Sequence, residues 1–294
     1  IKKNLMKIDS KRELTKKDVL SQLIYINVII FIIIRVLDVV GFLFQSDIIH
    51  IIQWFAMPAD YNSFFTKPWS IISYMFVHQS FLHLLFNLLW LYFGGKLFLA
   101  YMNQKQLLSV YILGGIVGGL CFSIAYNIFP VFSAISIHAI AIGASASVLA
   151  IVFAVATYIP NHKVRFIFIG NVSLKYLALF LIILDILSIP KGNSGGHIAH
   201  IGGAIFGFLY IKQLQAGNDL SKYVTLIMDY LFNLFKTSNK FKKAYKKRTT
   251  DQDFRNQRAT NKKQIDAILE KISKSGYDSL TKEEKSLLFE SSKK

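Results

Sequence analysis

Six stretches of the chain, each close to 20 residues long, consist almost wholly of apolar side chains, and no other feature constrains the fold as much. A bilayer's hydrocarbon core needs about 20 helical residues to cross it. The runs are Leu20 to Phe44, Ile71 to Phe93, Leu107 to Phe129, Ile140 to Ile159, Val172 to Ile189 and His197 to Leu214. They predict an all-α membrane protein, a bundle of six transmembrane helices. A mean hydropathy of +0.41 fits that class and excludes an ordinary soluble domain. The first run is too long for a cleaved leader and lacks a small-residue cleavage site, so it is expected to persist as a helix.

Charge supplies the orientation. Of 34 basic residues, 31 fall before the first run, between the second and third, between Lys163 and Lys175, or from Lys212 onward. The positive-inside rule then places both termini in the cytoplasm, which requires an even number of spans. The expected location is a multi-pass protein of a bacterial cell (inner) membrane. A net charge of +17 would suggest nucleic acid in a soluble protein. On this topology it is explained by attraction to anionic lipid at the cytoplasmic face, with no nucleic-acid partner expected. The lone Cys121 excludes a disulfide framework and a cysteine-rich metal site.

Three regions follow: a basic segment over 1–19, a membrane domain over 20–214 and a cytoplasmic tail over 215–294. The loop from Gln45 to Ser70 carries Ile49, Ile51, Ile52, Trp54, Phe55 and Met57, too apolar for water and too short to span, so it is expected to lie half-embedded in the outer leaflet. In the tail, Asp219 to Phe235 has the spacing of an interfacial amphipathic helix. Lys236 to Arg248 is strongly basic. Ile265, Ile268, Leu269 and Ile272 recur at helical spacing, and Thr281 to Glu284 matches a capping box, together predicting a small helical hairpin.

Ionisable and hydrogen-bonding side chains inside apolar runs are expensive and mark functional candidates. His83 and Asn87 are four apart and share one helical face, where their N–H donors can address one developing oxyanion. Such a pair also serves ordinary interhelical bonding. Ser145, in Gly143-Ala144-Ser145, opens the fourth run, where a helix start leaves backbone N–H groups free; serines at such positions are commonly caps. His200 borders a small-residue ridge of Ala199, Gly203 and Gly207 that admits another helix closely, so its imidazole could reach a serine there as a general base. Arg35 and Asp38 can pair along one face of the first run, while Asp185 and His197 are left outside the catalytic set.

The motifs His83-x-x-x-Asn87, Gly143-x-Ser145 and Ala199-His200-x-x-Gly203-x-x-x-Gly207 occur in order over roughly Pro68 to Leu214, and together they resemble the rhomboid family of intramembrane serine proteases. The resemblance implies a six-helix rhomboid-like bundle with a Ser145–His200 dyad that lacks a carboxylate. It further implies an oxyanion hole of His83, Asn87 and the Ser145 N–H, a first loop embedded beside a lateral gate, and no metal or cofactor. Expected substrates are single-span membrane proteins cleaved near small or helix-breaking residues. The chain departs from the family at three places: Ser70 follows Trp69 where Arg is common, Ala146 stands where Gly is commoner, and Leu149 stands where an aromatic ring often stacks on the histidine. Weaker loop anchoring, a less rigid His200 and modest activity are the expected consequences. Two other readings fit parts of the pattern. One is a catalytically inactive rhomboid-like factor that binds membrane helices; the other is a proton-coupled transporter using His83, His200 and Asp185, which lacks the inverted repeats it would need. A zinc protease has no H-E-x-x-H to support it.

Overall fold

The computed structural model describes residues 18–45, 50–166, 170–235 and 251–291. The basic segment ahead of residue 18, Ile49 in the first loop and the basic stretch Lys236 to Arg248 lie outside the described residues. The chain divides into two compact units, residues 1–236 and 237–294.

In the first unit, helix α1 (Val19–Leu43) is followed by short helix α2 (His50–Phe55), strand β1 (Met57–Pro58), helix α3 (Tyr61–Thr66) and helix α4 (Ser70–Ser73) running into a 3-10 turn. Then come α5 (Phe81–Leu99), α6 (Gln104–Ile128), β2 (Ile140–Ala141), α7 (Ser145–Tyr158), the hairpin β3 (Lys163–Phe166) and β4 (Gly170–Ser173), α8 (Leu174–Ser188), α9 (Ser194–Gln215) and α10 (Ser221–Phe235). The core lies where α6, α7 and α9 meet, around Tyr111, Phe122, Ile151 and Tyr210, each at most 1% exposed. Large apolar side chains on the outer faces, such as Ile29, Ile32, Val36, Phe86, Leu89 and Leu209, are about half exposed. Helices that bury so little of an apolar surface are solvated by lipid, and the protein is an integral, multi-pass membrane protein.

The expectation of six spanning helices is corrected. Among the described residues three helices are long and apolar enough to cross a bilayer: α1, α5 and α6. Helices α7 and α8 hold 14 and 15 residues, about 21–23 Å at the usual rise, short of a hydrocarbon core of about 30 Å. Helix α9 has 22 residues, but its glycines and two histidines dilute the apolar run. The physical causes are local. Ile140 and Ala141 enter a strand pairing with Met57 and Pro58 instead of a helix. Val172 belongs to the β3–β4 hairpin. The second run breaks because Ser80 caps α5, its hydroxyl accepting from the His83 N–H at 3.2 Å, so the helix starts at Phe81 and continues to Leu99. The even number of spans that the charge distribution requires is not supplied by these three candidates among the described residues.

The first loop is well anchored despite Ser70. Trp69 stacks on Trp54 at 6.1 Å between centroids and donates from Nε1 to the Trp54 carbonyl at 2.8 Å. Ser73 donates to the Phe55 carbonyl, and the β1–β2 pairing ties the loop to the strand just ahead of α7. Arg35 pairs with Asp38 at 2.9 Å, as its spacing suggests, and also donates to the Gln79 carbonyl.

Helix α10 presents Tyr223, Leu226, Ile227 and Tyr230 outward, the apolar stripe expected of an interfacial helix. In the second unit, α11 (Asp251–Ser275) and α12 (Lys282–Ser291) form a helical pair that buries Ile268 and Leu280. The capping box is present: the Thr281 N–H donates to Glu284 Oε2 at 2.7 Å and the Glu284 N–H to Thr281 Oγ1 at 3.3 Å, with Lys271 Nζ 3.0 Å from both Glu284 carboxylate oxygens.

Candidate active site

The packing of α7 against α6 and α9 is made by small residues. A methyl group built at Gly203 would stand 2.8 Å from the Ala146 carbonyl carbon, and one at Gly207 2.8 Å from that of Ala150. Methyls at Gly114 and Gly118 would likewise collide with the side chains of Ala150 and Ala146. Two glycine ridges thus grip the Ala146–Ala150 face of α7 from both sides, and the helices meet backbone to backbone. Ser145 begins the gripped helix, and His200 sits one turn before Gly203 on the gripping one. The ridge read from the sequence therefore sets the spacing of the two.

A cavity of about 910 Å³ opens beside this junction, lined by Ser145, His200, His83 and Asn87 together. Ser145 comes from the start of α7, His200 from α9, and His83 and Asn87 from successive turns of α5. Ile52 of α2 contributes to the wall, so the first loop borders the cavity, and Leu149 lines it as well. Among the described residues no hydrogen bond joins Ser145 Oγ to His200.

Backbone geometry around Ser145 follows from Gly143. Its φ of +117° is accessible to glycine and strained for other residues. Its N–H donates to the Tyr74 carbonyl at 2.9 Å. A methyl there would lie 2.7 Å from His83 Nε2 and 3.8 Å from Ser145 Oγ, so the missing side chain lets His83 approach the serine's turn. The first intrahelical bond runs from the Val148 N–H to the Ala144 carbonyl. The N–H groups of Ser145 and Ala146 precede it and are left for other acceptors. His78, fully buried, packs edge-on against His83 at 5.0 Å and accepts from the Ala144 N–H through Nε2 at 3.4 Å. Burial, and then the neighbouring His83, push the His78 imidazole down to about 4, so it stays neutral and can accept. Asn87 Nδ2 donates one hydrogen to the His83 carbonyl at 2.9 Å, which fixes the amide and leaves its second N–H.

Asp185, which sequence reasoning leaves outside the catalytic set, lines the same cavity. Its Oδ1 is 2.9 Å from His200 Nδ1 and 2.8 Å from His197 Nδ1. The three ligand atoms lie within 4.8 Å of one another, close enough to surround a cation, but the two hydrogen bonds already satisfy the carboxylate oxygen. Nothing in sequence spacing links position 185 to 197 and 200; the link is the packing of α8 on α9. Asp185 thus gives the His200 ring a hydrogen-bond partner beyond the residues of the expected dyad.

A family model described as the rhomboid domain matches residues 66–215. The chain belongs to the rhomboid family. The match spans α5 to α9 and so contains every residue of the cavity named above except Ile52. Among curated rhomboid proteins, the chain is 28% identical over 172 residues to rhomboid protease GlpG of Haemophilus influenzae, covering 57% of this chain and 78% of that one. It is 27% identical over 160 residues to rhomboid protease GlpG of Yersinia pseudotuberculosis, 54% of this chain and 52% of that one. To the mitochondrial presenilin-associated rhomboid-like protein A of Danio rerio it is 29% identical over 139 residues, 46% of this chain and 35% of that one. The chain thus spans about a third to a half of the latter two relatives. Residues 248–294 match a family of unknown function (DUF6576).

Proposed function

We propose that this rhomboid-family protein is an intramembrane serine endopeptidase with Ser145 as nucleophile, His200 as general base and then acid, and His83, Asn87 and the Ser145 N–H as oxyanion donors. One observation carries the reading: a single cavity is lined by a hydroxyl at a helix start, an imidazole from a second helix and two donor side chains from a third. Likeness to two proteins named as rhomboid proteases supports it.

In the proposed reaction a substrate segment enters the cavity with its backbone unwound, since a helical carbonyl is occupied by its own hydrogen bond. Ser145 Oγ attacks the scissile carbonyl carbon as its proton passes to His200 Nε2. The carbonyl oxygen becomes an oxyanion facing the donors, each contributing about 3 kcal/mol of transition-state stabilisation. Collapse breaks the C–N bond, and His200 returns the proton to the leaving amine. Water then repeats the sequence on the acyl-enzyme. Single-span membrane proteins with small or helix-breaking residues at the scissile bond are the proposed substrates, because such segments unwind at least cost. Anionic lipid at the basic face is the proposed lipid partner.

The test is cleavage of a fluorescently labelled single-span substrate by protein purified in detergent. Wild type is expected to cut within or beside the membrane segment and Ser145→Ala to leave it intact. Equal cleavage by Ser145→Ala would refute the assignment.

A further inference from the structure

The carboxylate behind His200 goes beyond a two-residue mechanism. We infer that Asp185 is a positioning residue that holds His200 in its base-competent form, and that His197 draws on the same carboxylate oxygen and moderates this support. The inference rests on His200 being the general base.

The chemistry of the donors carries it. A carboxylate only accepts, so the imidazole nitrogen that faces Asp185 Oδ1 must carry hydrogen. For His200 that nitrogen is Nδ1, at 2.9 Å. Its Nε2 is therefore left with the lone pair that takes the serine proton. When the proton arrives, the imidazolium sits directly against a carboxylate that stays ionised throughout. No proton moves to Asp185, and none is lost from the cycle.

Position and burial make this more than a surface contact. Asp185 is 8% exposed, on an apolar helix whose neighbouring side chains Ile183, Leu184, Ile186 and Leu187 are 43–58% exposed. The charged and titratable groups facing it are His197 and His200 on α9, with His83 of α5 on the same cavity wall. Among the described residues neither lysine nor arginine pairs with it. Its oxygen is thus shared between two imidazoles at nearly equal distance. A second donor withdraws electron density from the oxygen that supports His200, and a protonated His197 cancels its charge. The two neighbours of His200 are therefore predicted to act in opposite directions.

The experiment compares pH–rate profiles for substrate cleavage by full-length wild type, Asp185→Asn, His197→Phe and Ser145→Ala, with thermal midpoints in the same detergent. Asparagine keeps the shape and can accept one hydrogen bond, so a merely structural Asp185 would tolerate it. The expected result for Asp185→Asn is a fall in kcat of tenfold or more, KM within about twofold, an unchanged thermal midpoint and an acid limb displaced to lower pH. His197→Phe is expected to displace the acid limb to higher pH. A wild-type profile for Asp185→Asn, a shift of both variants in one direction, or a loss of rate that only tracks loss of thermal stability would overturn the inference. So would a chelator that abolishes the difference between wild type and Asp185→Asn, which would assign the cluster to a metal ion. Cleavage surviving in Ser145→Ala would instead refute the proposed function, whatever the other variants do.

Discussion

Replacing Gly203 by Ala tests the claim that a backbone contact sets the reacting distance. The added methyl would lie 2.8 Å from the Ala146 carbonyl carbon and 3.1 Å from its Cα. Ordinary carbon–carbon contacts fall at about 3.5–4.0 Å, so α9 must withdraw from α7 by roughly 1 Å at this level. Both neighbours are backbone, and no side-chain rotation can relieve the clash. Overpacking of this kind costs about 1–3 kcal/mol, and a displacement of about 1 Å between reacting groups can cost on the order of 100-fold in rate. Gly207→Ala meets an equal obstruction at Ala150, one turn farther from His200. It should cost similar stability with a smaller loss of rate. Leu209→Ala, at a side chain 51% exposed on the outer surface, is the control and should change neither. The assay is substrate cleavage paired with thermal unfolding in one detergent. A Gly203→Ala protein with wild-type rate and thermal midpoint would refute the reasoning.

Trp69→Phe keeps an aromatic ring against Trp54 but removes the indole donor to its carbonyl, and should lower stability by about 0.5–1.5 kcal/mol; faster proteolytic nicking within residues 50–69 is the readout, and an unchanged rate would contradict it. Glu284 is held below its ordinary value of 4.5 by the Thr281 N–H and then by Lys271. A depressed carboxylate contributes stability that is present above its unfolded value and lost as pH falls through the folded one. The cap of α12 should therefore weaken only as pH falls below the ordinary glutamate value, seen as loss of amide-exchange protection at Thr281, and Glu284→Gln should remove most of that pH dependence. His78→Phe deletes the acceptor for the Ala144 N–H, and should lower the cleavage rate more than KM rises, because it disturbs the turn that presents Ser145.

Much of the site was legible because its logic is local. His83 and Asn87 declare a common face by their spacing, and the Gly203–Gly207 ridge declares a close helix contact whichever helix answers it. The turn at Gly143 was visible as a small-residue motif, although its role in admitting His83 needs the fold. Asp185 was not legible as a partner of His200, since one aspartate in an apolar run carries no register relation to a histidine 15 positions on. The number of spans misled for a physical reason. Hydropathy counts apolar residues without sensing caps and strand pairing, so Ile140 and Ala141 raised the apparent length of a helix they do not join. Ser80 and the polar His78-Gln79 pair likewise interrupt what reads as one run. The anchoring of the first loop, in doubt from Ser70 alone, was hidden because Trp69 finds Trp54 across 15 residues.

The pairing of Ser145 with His200 is tested most directly by the site of covalent capture. Protein treated with a fluorophosphonate and digested should carry the phosphonyl group on the peptide containing Ser145, with the labelling rate falling at least tenfold in His200→Ala while thermal stability is retained. An adduct on Ser147 or Ser80, or undiminished labelling in His200→Ala, would contradict it.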